Sequence, residues 1–267
     1  MYRLGWFSTG RGEGSLNLLN KTRDAIKSGH LPAEIAFVFC NREQGEAEGS
    51  DRFIKTVQQY KIPLLTLSYR RFRRSFDSHH DWRRHYFSEV SQLVSQHPFD
   101  LGVLAGFMLI VSEQMCTECS MINLHPAAPG GPKGTWEDVI WQLIEKDASE
   151  NGCYMHLVTP ELDAGPVVTY CKFSIKDKEL KSLWEQTKGQ SVEQLKQTPG
   201  AELPLFKAIR QKGIVRESPL VIETLRSFAT GQVSIKEGRI LDNSGKNIDG
   251  YDLTSQIEAK LKAGTPE

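Results

Sequence analysis

Short apolar runs that alternate with amphipathic helical segments constrain this chain more than any other feature. Runs at 4–8, 35–40, 64–67, 101–105, 121–124, 154–158 and 167–173 have the length and character of buried strands. Between them, 15–27 carries Leu16, Leu19 and Ile26 on one helical face. Phe53, Val57 and Tyr60 mark a second helix, and Tyr86, Val90, Leu93 and Val94 a third. Mostly apolar strands joined by helices imply a parallel sheet covered on both faces, because each crossover must return along a face. The predicted fold is therefore α/β, a doubly wound and mostly parallel sheet, in which ligands sit beyond the carboxyl ends of the strands.

The 267 residues are enough to bury a core without covalent or metal staples. Lys plus Arg and Asp plus Glu both total 33, so the balance of charge gives no reason to expect a nucleic acid or a membrane surface as partner. The five cysteines are irregularly spaced, and the start MYRLGWFSTG lacks the basic region, apolar run and cleavage site of a secretory signal. A cytoplasmic location with reduced thiols is expected. No transmembrane segment is expected either, since apolar stretches such as 101–111 fall far short of the ~20 residues a spanning helix needs. Cys116 and Cys119 form a C-x-x-C pair without a second pair at zinc spacing and without redox context, and are read as helix residues.

The organisation follows from shifts in composition. Residues 1–175 form the core that carries the site. Residues 176–216 turn charged and rich in Lys, Gln and Glu, with helical apolar spacing returning at 202–210, and read as a helical insertion or lid. Residues 217–267 complete the same domain with a helix at 217–230, a small hairpin at 232–241 and a loose tail at 264–267.

Three strand ends carry chemistry. The first strand runs through Ser8-Thr9-Gly10-Arg11-Gly12-Glu13-Gly14-Ser15 into a helix, which presents free backbone N–H groups and a positive helix end to an anion such as phosphate. The spacing is neither the dinucleotide fingerprint nor a Walker loop, and a tight turn also explains the glycines. At the second end, Met121-Ile122-Asn123-Leu124-His125-Pro126, extended backbone points Asn123 and His125 to one side, so an amide and an imidazole converge. Pro126 disfavours helix at His125, and Gly130, Gly131 and Gly134 let the chain bend around a ligand. The third end, Leu162-Asp163-Ala164-Gly165-Pro166, offers a carboxylate. Each of these residues has a structural reading of its own; the set of three gives them joint meaning.

An amide donor, an imidazole and a carboxylate suit acyl-type transfer to an amine. Attack on a formyl carbon creates a tetrahedral oxyanion that the Asn123 N–H and a protonated His125 can stabilise, while Asp163 holds the imidazolium and relays a proton. No Ser or Cys stands in a nucleophile elbow, which argues against a covalent acyl-enzyme.

At these residues the chain resembles the folate-dependent formyltransferase family, and within it the branch that formylates glycinamide ribonucleotide. The likeness runs through Val38-Phe39-Cys40-Asn41, Val103-Leu104-Ala105-Gly106-Phe107-Met108, Ile122-Asn123-Leu124-His125-Pro126, Gly152-Cys153-Tyr154-Met155-His156-Leu157-Val158 and Glu161-Leu162-Asp163-Ala164-Gly165-Pro166, covering about residues 1–175 in family order. The resemblance implies transfer of the formyl group of 10-formyltetrahydrofolate, as co-substrate, to the primary amine of a small phosphorylated acceptor, glycinamide ribonucleotide in purine biosynthesis. Asn123, His125 and Asp163 take the catalytic roles, and no metal is implied. The folate is held largely by backbone at Met108, Leu109 and Val111 and in the loop with Thr159 and Glu161. Substrate phosphate falls to Gly14, Ser15 and Arg83, with Arg84 a neighbouring choice, and the substrate amine to Glu217. The implied state is a monomer or homodimer with no macromolecular partner.

The chain also departs from the family. Leu109 replaces an Arg, Leu16 replaces an Asn, and after His125 the family's Ser-Leu-Leu-Pro gives way to 127–136, where Lys133 and Trp136 either read a different acceptor or repack the wall of the site. Other readings stay open: another amine such as a nucleotide-linked amino sugar, a formylfolate hydrolase, or a catalytically silent ligand-binding homologue. The stretch 69–84 clusters arginines with Phe72, Phe76 and Trp82 and raises RNA binding, but a solvated loop before a helix explains most of it.

Overall fold

The computed structural model describes residues 1–76 and 81–263; the tail expected at 264–267 lies outside them. In chain order the elements are β1 (Tyr2–Ser8), α1 (Glu13–Lys27), β2 (Ala33–Cys40), α2 (Glu48–Gln59), β3 (Leu64–Thr66), α3 (Tyr69–Arg74), α4 (Asp81–Ser95), β4 (Leu101–Leu104), α5 (Glu113–Glu118), β5 (Met121–His125) and α6 (Trp136–Glu145). There follow β6 (Glu150–Leu157), β7 (Val167–Ser174), α7 (Lys181–Thr187), α8 (Val192–Gln197), a 3-10 turn (Gly200–Glu202), α9 (Pro204–Ala229), β8 (Val233–Lys236), β9 (Arg239–Asp242), β10 (Tyr251–Asp252) and α10 (Thr254–Ala263). Among the described residues no helix is long and apolar enough to cross a membrane.

The chain divides into two compact units. The first comprises Met1–Asn123, His156–Pro166 and Leu225–Ile248. In it β1 pairs in parallel with β2 on one side and β4 on the other, β2 with β3, and β4 with β5. The chain thus winds outward from β1 in one direction and then restarts on its other side, which makes the gap between β1 and β4 the topological switch point. Leu4 and Trp6 point to one face of β1 and Phe7 to the other, yet all are buried, so helices cover both faces. Phe7, Phe37 and Phe39 pack against Tyr86, Phe87, Val90 and Val94 of α4 and Met115 of α5. Edge contacts of Phe7 with Phe37 at 5.5 Å and with Phe107 at 6.2 Å tie this layer to the chain leaving β4.

The second unit comprises Leu124–Met155, Val167–Thr224 and Asp249–Glu267. Its core joins Trp141 and Ile144 of α6, Phe173 and Ile175, Trp184 of α7, Leu195 of α8, and Phe206 and Ile209 of α9. The charged stretch 176–216 therefore folds by committing its few apolar side chains to this core. β10 pairs in parallel with β7, Tyr251 opposite Thr169.

Two differences from the sequence reading have physical causes. β6 runs antiparallel: Val158 N–H donates to Met121 O, Leu157 N–H to Pro166 O, and Ile175 N–H to Ser149 O. Residues 158–166 are fewer than the roughly dozen a parallel crossover requires, so β7 can only return as a hairpin partner. The helices expected at 202–210 and 217–230 are one 26-residue helix that tolerates Pro219. Its middle is polar and shows no apolar stripe because ion pairs hold it, Lys212 with Asp177 and Arg216 with Glu258 at 2.6 and 3.0 Å. The hairpin β8–β9 appears where expected, turning at Glu237 and Gly238 with φ of 52° and 72°. β10 and α10 were not anticipated.

Phe7→Ala is expected to cost about 3–5 kcal/mol of stability through the cavity it leaves. Urea unfolding checks this, and a loss below about 1 kcal/mol would contradict the packing described.

Candidate active site

The switch point in the first unit is built by backbone bonds. Ala105 N–H donates to Phe7 O at 2.8 Å and Thr9 N–H to Gly106 O at 3.1 Å. Ser8 Oγ–H donates to Ala105 O at 2.7 Å, and Ser8 Oγ accepts from Gly10 N–H at 3.1 Å. Thr9 Oγ1 accepts from Met108 N–H at 2.9 Å. The glycine turn after β1 and the loop after β4 are thus one knitted structure. Gly106, at φ 68°, allows this, because a Cβ there would lie 2.2 Å from Ser15 Oγ.

Above this seam α1 begins without a side-chain cap on Gly12. Space is open over Gly12 and Gly14, so the first-turn N–H groups can meet an anion. Of the residues expected around the co-substrate, Met108 is 60% exposed and Glu161 is exposed, Leu109 is half-buried and Val111 is buried; their neighbours Ile110 and Leu162 are also exposed. Three apolar side chains are thus held out of the core in the loops that follow β4 and β6. Thr159 Oγ1 donates to Glu161 O at 3.0 Å and closes the turn between them.

The centre of this half is a residue that strand-end reasoning missed. His156, on β6 and 3% exposed, places Nε2 3.4 Å from Asn123 Nδ2 and 3.4 Å from Asp163 Oδ1. Its Nδ1 lies 3.1 Å from Leu157 O; a carbonyl only accepts, so Nδ1 carries a hydrogen. Amide and carboxylate therefore compete for one nitrogen. A neutral ring accepts an Asn123 N–H there, and a protonated ring donates to Asp163. Because β6 is antiparallel, the loop after it starts level with Met121 and must fold back to bring Asp163 to His156. Asp163 adopts φ 51°, and a Cβ on Gly165 would sit 1.8 Å from Leu157 O. Left-handed backbone on a non-glycine residue and this close approach are the local costs of that return. His156 stands among the residues of the likeness, but inside an apolar run it reads as core.

In the second unit His125 is 2% exposed. Its Nε2 lies 3.1 Å from Pro132 O and its ring centroid 5.1 Å from that of Tyr154. Nε2 carries the hydrogen in the contact with the carbonyl, so the residues that depart from the family after His125 touch its ring and set its orientation. That segment is held by Gly131 N–H to Ala128 O at 2.8 Å, by Gln142 Nε2 to Lys133 O at 2.8 Å, and by the Thr135–Asp138 capping box that starts α6. Glu217 lies inside α9, not before a helix, and is paired with Arg210 at 2.5 Å; the Arg210 guanidinium sits 4.8 Å over the Trp136 ring. Trp136 and Glu217 thus share one arginine.

Arg83 and Arg84 are exposed on α4 and line a groove of about 740 Å³ with Ile110, Val111, Ser112 and Pro160. None of its lining comes from the Gly14–Ser15 turn. Arg83 is therefore grouped with the loops expected around the co-substrate.

A doubly wound sheet with a glycine turn at its switch point and an amide, imidazole and carboxylate at strand ends is the arrangement in which α/β proteins of this class hold ligands, beyond the carboxyl ends of the strands. The formyl transferase family model matches residues 11–197. The chain belongs to this family. The phosphoribosylglycinamide formyltransferase of Escherichia coli (strain K12) is 30% identical over 154 residues, 57% of this chain and 65% of that protein. The trifunctional purine biosynthetic protein adenosine-3 of Homo sapiens is 24% identical over 60% of this chain and 14% of its own length. The chain thus spans just under two thirds of the bacterial relative and a small part of the human one. In fold it is similar to phosphoribosylglycinamide formyltransferase from Coxiella burnetii, with a TM-score of 0.67 at 23% identity, covering 94% of this chain and 98% of that one. It is similar as well to a formyltetrahydrofolate deformylase from Pseudomonas syringae pv. tomato, with a TM-score of 0.61 at 22% identity over 90% of this chain and 65% of that one.

Gly165→Ala is expected to lower the unfolding free energy by about 1–3 kcal/mol, because the methyl group overpacks against a backbone carbonyl. An unchanged urea midpoint would contradict the close approach.

Proposed function

We propose that this chain transfers the formyl group of 10-formyltetrahydrofolate to the primary amine of a small phosphorylated acceptor, glycinamide ribonucleotide. One observation carries the reading: Asn123 and Asp163 meet on the buried imidazole of His156, while the strand that bears Asn123 presents His125 two residues later.

The acceptor amine attacks the formyl carbon and a C–N bond forms as the carbonyl oxygen takes up negative charge. An Asn123 N–H donates to that oxygen, and His125, protonated, adds a second donor. Asp163 takes part in moving the amine proton toward N10 of the folate, which leaves as tetrahydrofolate. No side-chain nucleophile is needed. His156 acts as a positioning residue: neutral, it holds one Asn123 N–H and leaves the other for the oxyanion.

Met108, Leu109 and Val111, with Thr159 and Glu161, hold the folate ring by backbone and apolar contact. Gly14 and Ser15 at the start of α1 take the acceptor's phosphate. Glu217 is the carboxylate assigned to the acceptor, with Arg210 and Trp136 shaping its surroundings. The groove that Arg83 shares with Val111 and Pro160 favours the carboxylate end of the folate as its ligand.

Absorbance-monitored formyl loss from 10-formyltetrahydrofolate tests the reading. His125→Ala and Asp163→Asn are each expected to lower kcat/KM at least about 100-fold with glycinamide ribonucleotide. Equal rates in wild type and both variants would overturn the mechanism, and faster turnover with a nucleotide-linked amino sugar would overturn the acceptor.

A further inference from the structure

Two of the cysteines face each other inside the second unit, on the face of β6 opposite to the one that packs on His125. Ile175 N–H donates to Ser149 O across the antiparallel pair β6–β7. Counting inward from that bond sets Asn151 opposite Phe173 and Cys153 opposite Cys171. Directly opposite residues of an antiparallel pair share a face, with Cα atoms about 5.5 Å apart where their backbones are hydrogen-bonded. That spacing lies within the ~4.4–6.8 Å that a disulfide spans. A Cβ on Gly152 would sit 2.6 Å from Cys171 O, in keeping with this register.

Both thiols are sealed, Cys153 at 1% and Cys171 at 0% exposure. Their cover is α9 and α10. Thr169, two residues before Cys171 on the same face, shares a hydroxyl hydrogen bond of 2.6 Å with Thr224. The Arg216 guanidinium lies 4.5 Å over the Phe173 ring and holds Glu258 of α10 with two donors. A hydrogen bond between the two thiols holds Cys171 below the ordinary thiol range and, together with burial, pushes Cys153 up. Arg216 favours the thiolate of both, against Glu217 facing Cys153 and Glu258 and Asp252 facing Cys171. Burial pushes Cys40, Cys116 and Cys119 up. Among the described cysteines, Cys171 alone therefore combines a favoured thiolate with a second thiol opposite it.

We propose that Cys153 and Cys171 form a redox-sensitive dithiol, which a hydroperoxide closes to a cross-strand disulfide when α10 opens locally. The Cys171 thiolate attacks the peroxide: an S–O bond forms, the O–O bond breaks, and the departing oxygen takes a proton and leaves as water or an alcohol. The Cys153 sulfur then attacks the Cys171 sulfenic acid. The S–S bond forms, the S–O bond breaks, and hydroxide leaves as water with the Cys153 proton. The two thiols together lose two electrons and one peroxide gains them. Tyr154, next to Cys153 on the other face, packs 5.1 Å from the His125 ring, so the modified strand is the one that backs this imidazole.

Peptide mapping by mass spectrometry of the folded full chain, before and after hydrogen peroxide, tests the proposal. A cross-link between Cys153 and Cys171 with a mass loss of roughly 2 Da is expected, reversed by dithiothreitol and formed in wild type and C116S/C119S alike. In C153S, Cys171 is expected to stop at the sulfenic or sulfinic acid. Glu258→Gln weakens the hold of Arg216 on α10 and is expected to speed cross-linking about tenfold. Cys153 and Cys171 staying free while Cys116 and Cys119 oxidise overturns the proposal, as does a random mixture of pairings. An unchanged rate in Glu258→Gln overturns the opening through α10.

Discussion

The antiparallel course of β6 is the constraint on which the rest of the site depends. A parallel strand would deliver its following loop to the same edge as the loops after β1 and β4. β6 instead releases the chain level with Met121, and Asp163 has to be carried back. Three local features accomplish the return: the Leu157 N–H bond to Pro166 O, the near-contact of Gly165 with the Leu157 carbonyl, and the left-handed backbone of Asp163. The same strand supplies His156, whose ring meets the returning carboxylate and the Asn123 amide at one nitrogen. Strand direction, loop strain and the imidazole contact are one arrangement.

Rigid support surrounds each group in the proposed chemistry. The turn after β1 is tied to the loop after β4 through Ser8, Thr9 and Gly106, so an anion on α1 and a ring beside Met108 would be held by a common framework. His125 is clamped by Pro132 O and Tyr154. Groups fixed before the substrate arrives need little reorganisation as charge develops, which is where such sites gain most of their rate. The segment after His125 differs from the family yet holds the imidazole through a backbone carbonyl, and a carbonyl survives side-chain change. In the proposed reaction that separates the chemistry, which would depend on the ring, from acceptor choice, which would depend on side chains such as Trp136 and Arg210.

Much of the fold was legible because its strands are apolar runs of ordinary length between amphipathic helices; β1, β2, β4, β5 and β7 lie within a few residues of where the periodicity puts them. The direction of β6 was legible in principle from the short 158–166 connection but not from its composition. The unbroken α9 was hidden, because ion pairs rather than an apolar stripe hold its middle. Asn123, His125 and Asp163 stood out as polar residues just after or inside apolar runs. His156 did not, since a histidine in a buried strand carries no signal until its neighbours are known. The relation of Trp136 to Glu217 through Arg210 joins positions far apart in sequence, and no local pattern reports it.

The most direct test of the account follows the formyl carbon itself. With 10-formyltetrahydrofolate labelled with ¹³C in the formyl group, the full chain and glycinamide ribonucleotide, carbon NMR is predicted to show the label moving to the formamide carbon of the acceptor. Label appearing in free formate instead, or remaining on the folate, would contradict formyl transfer to the amine.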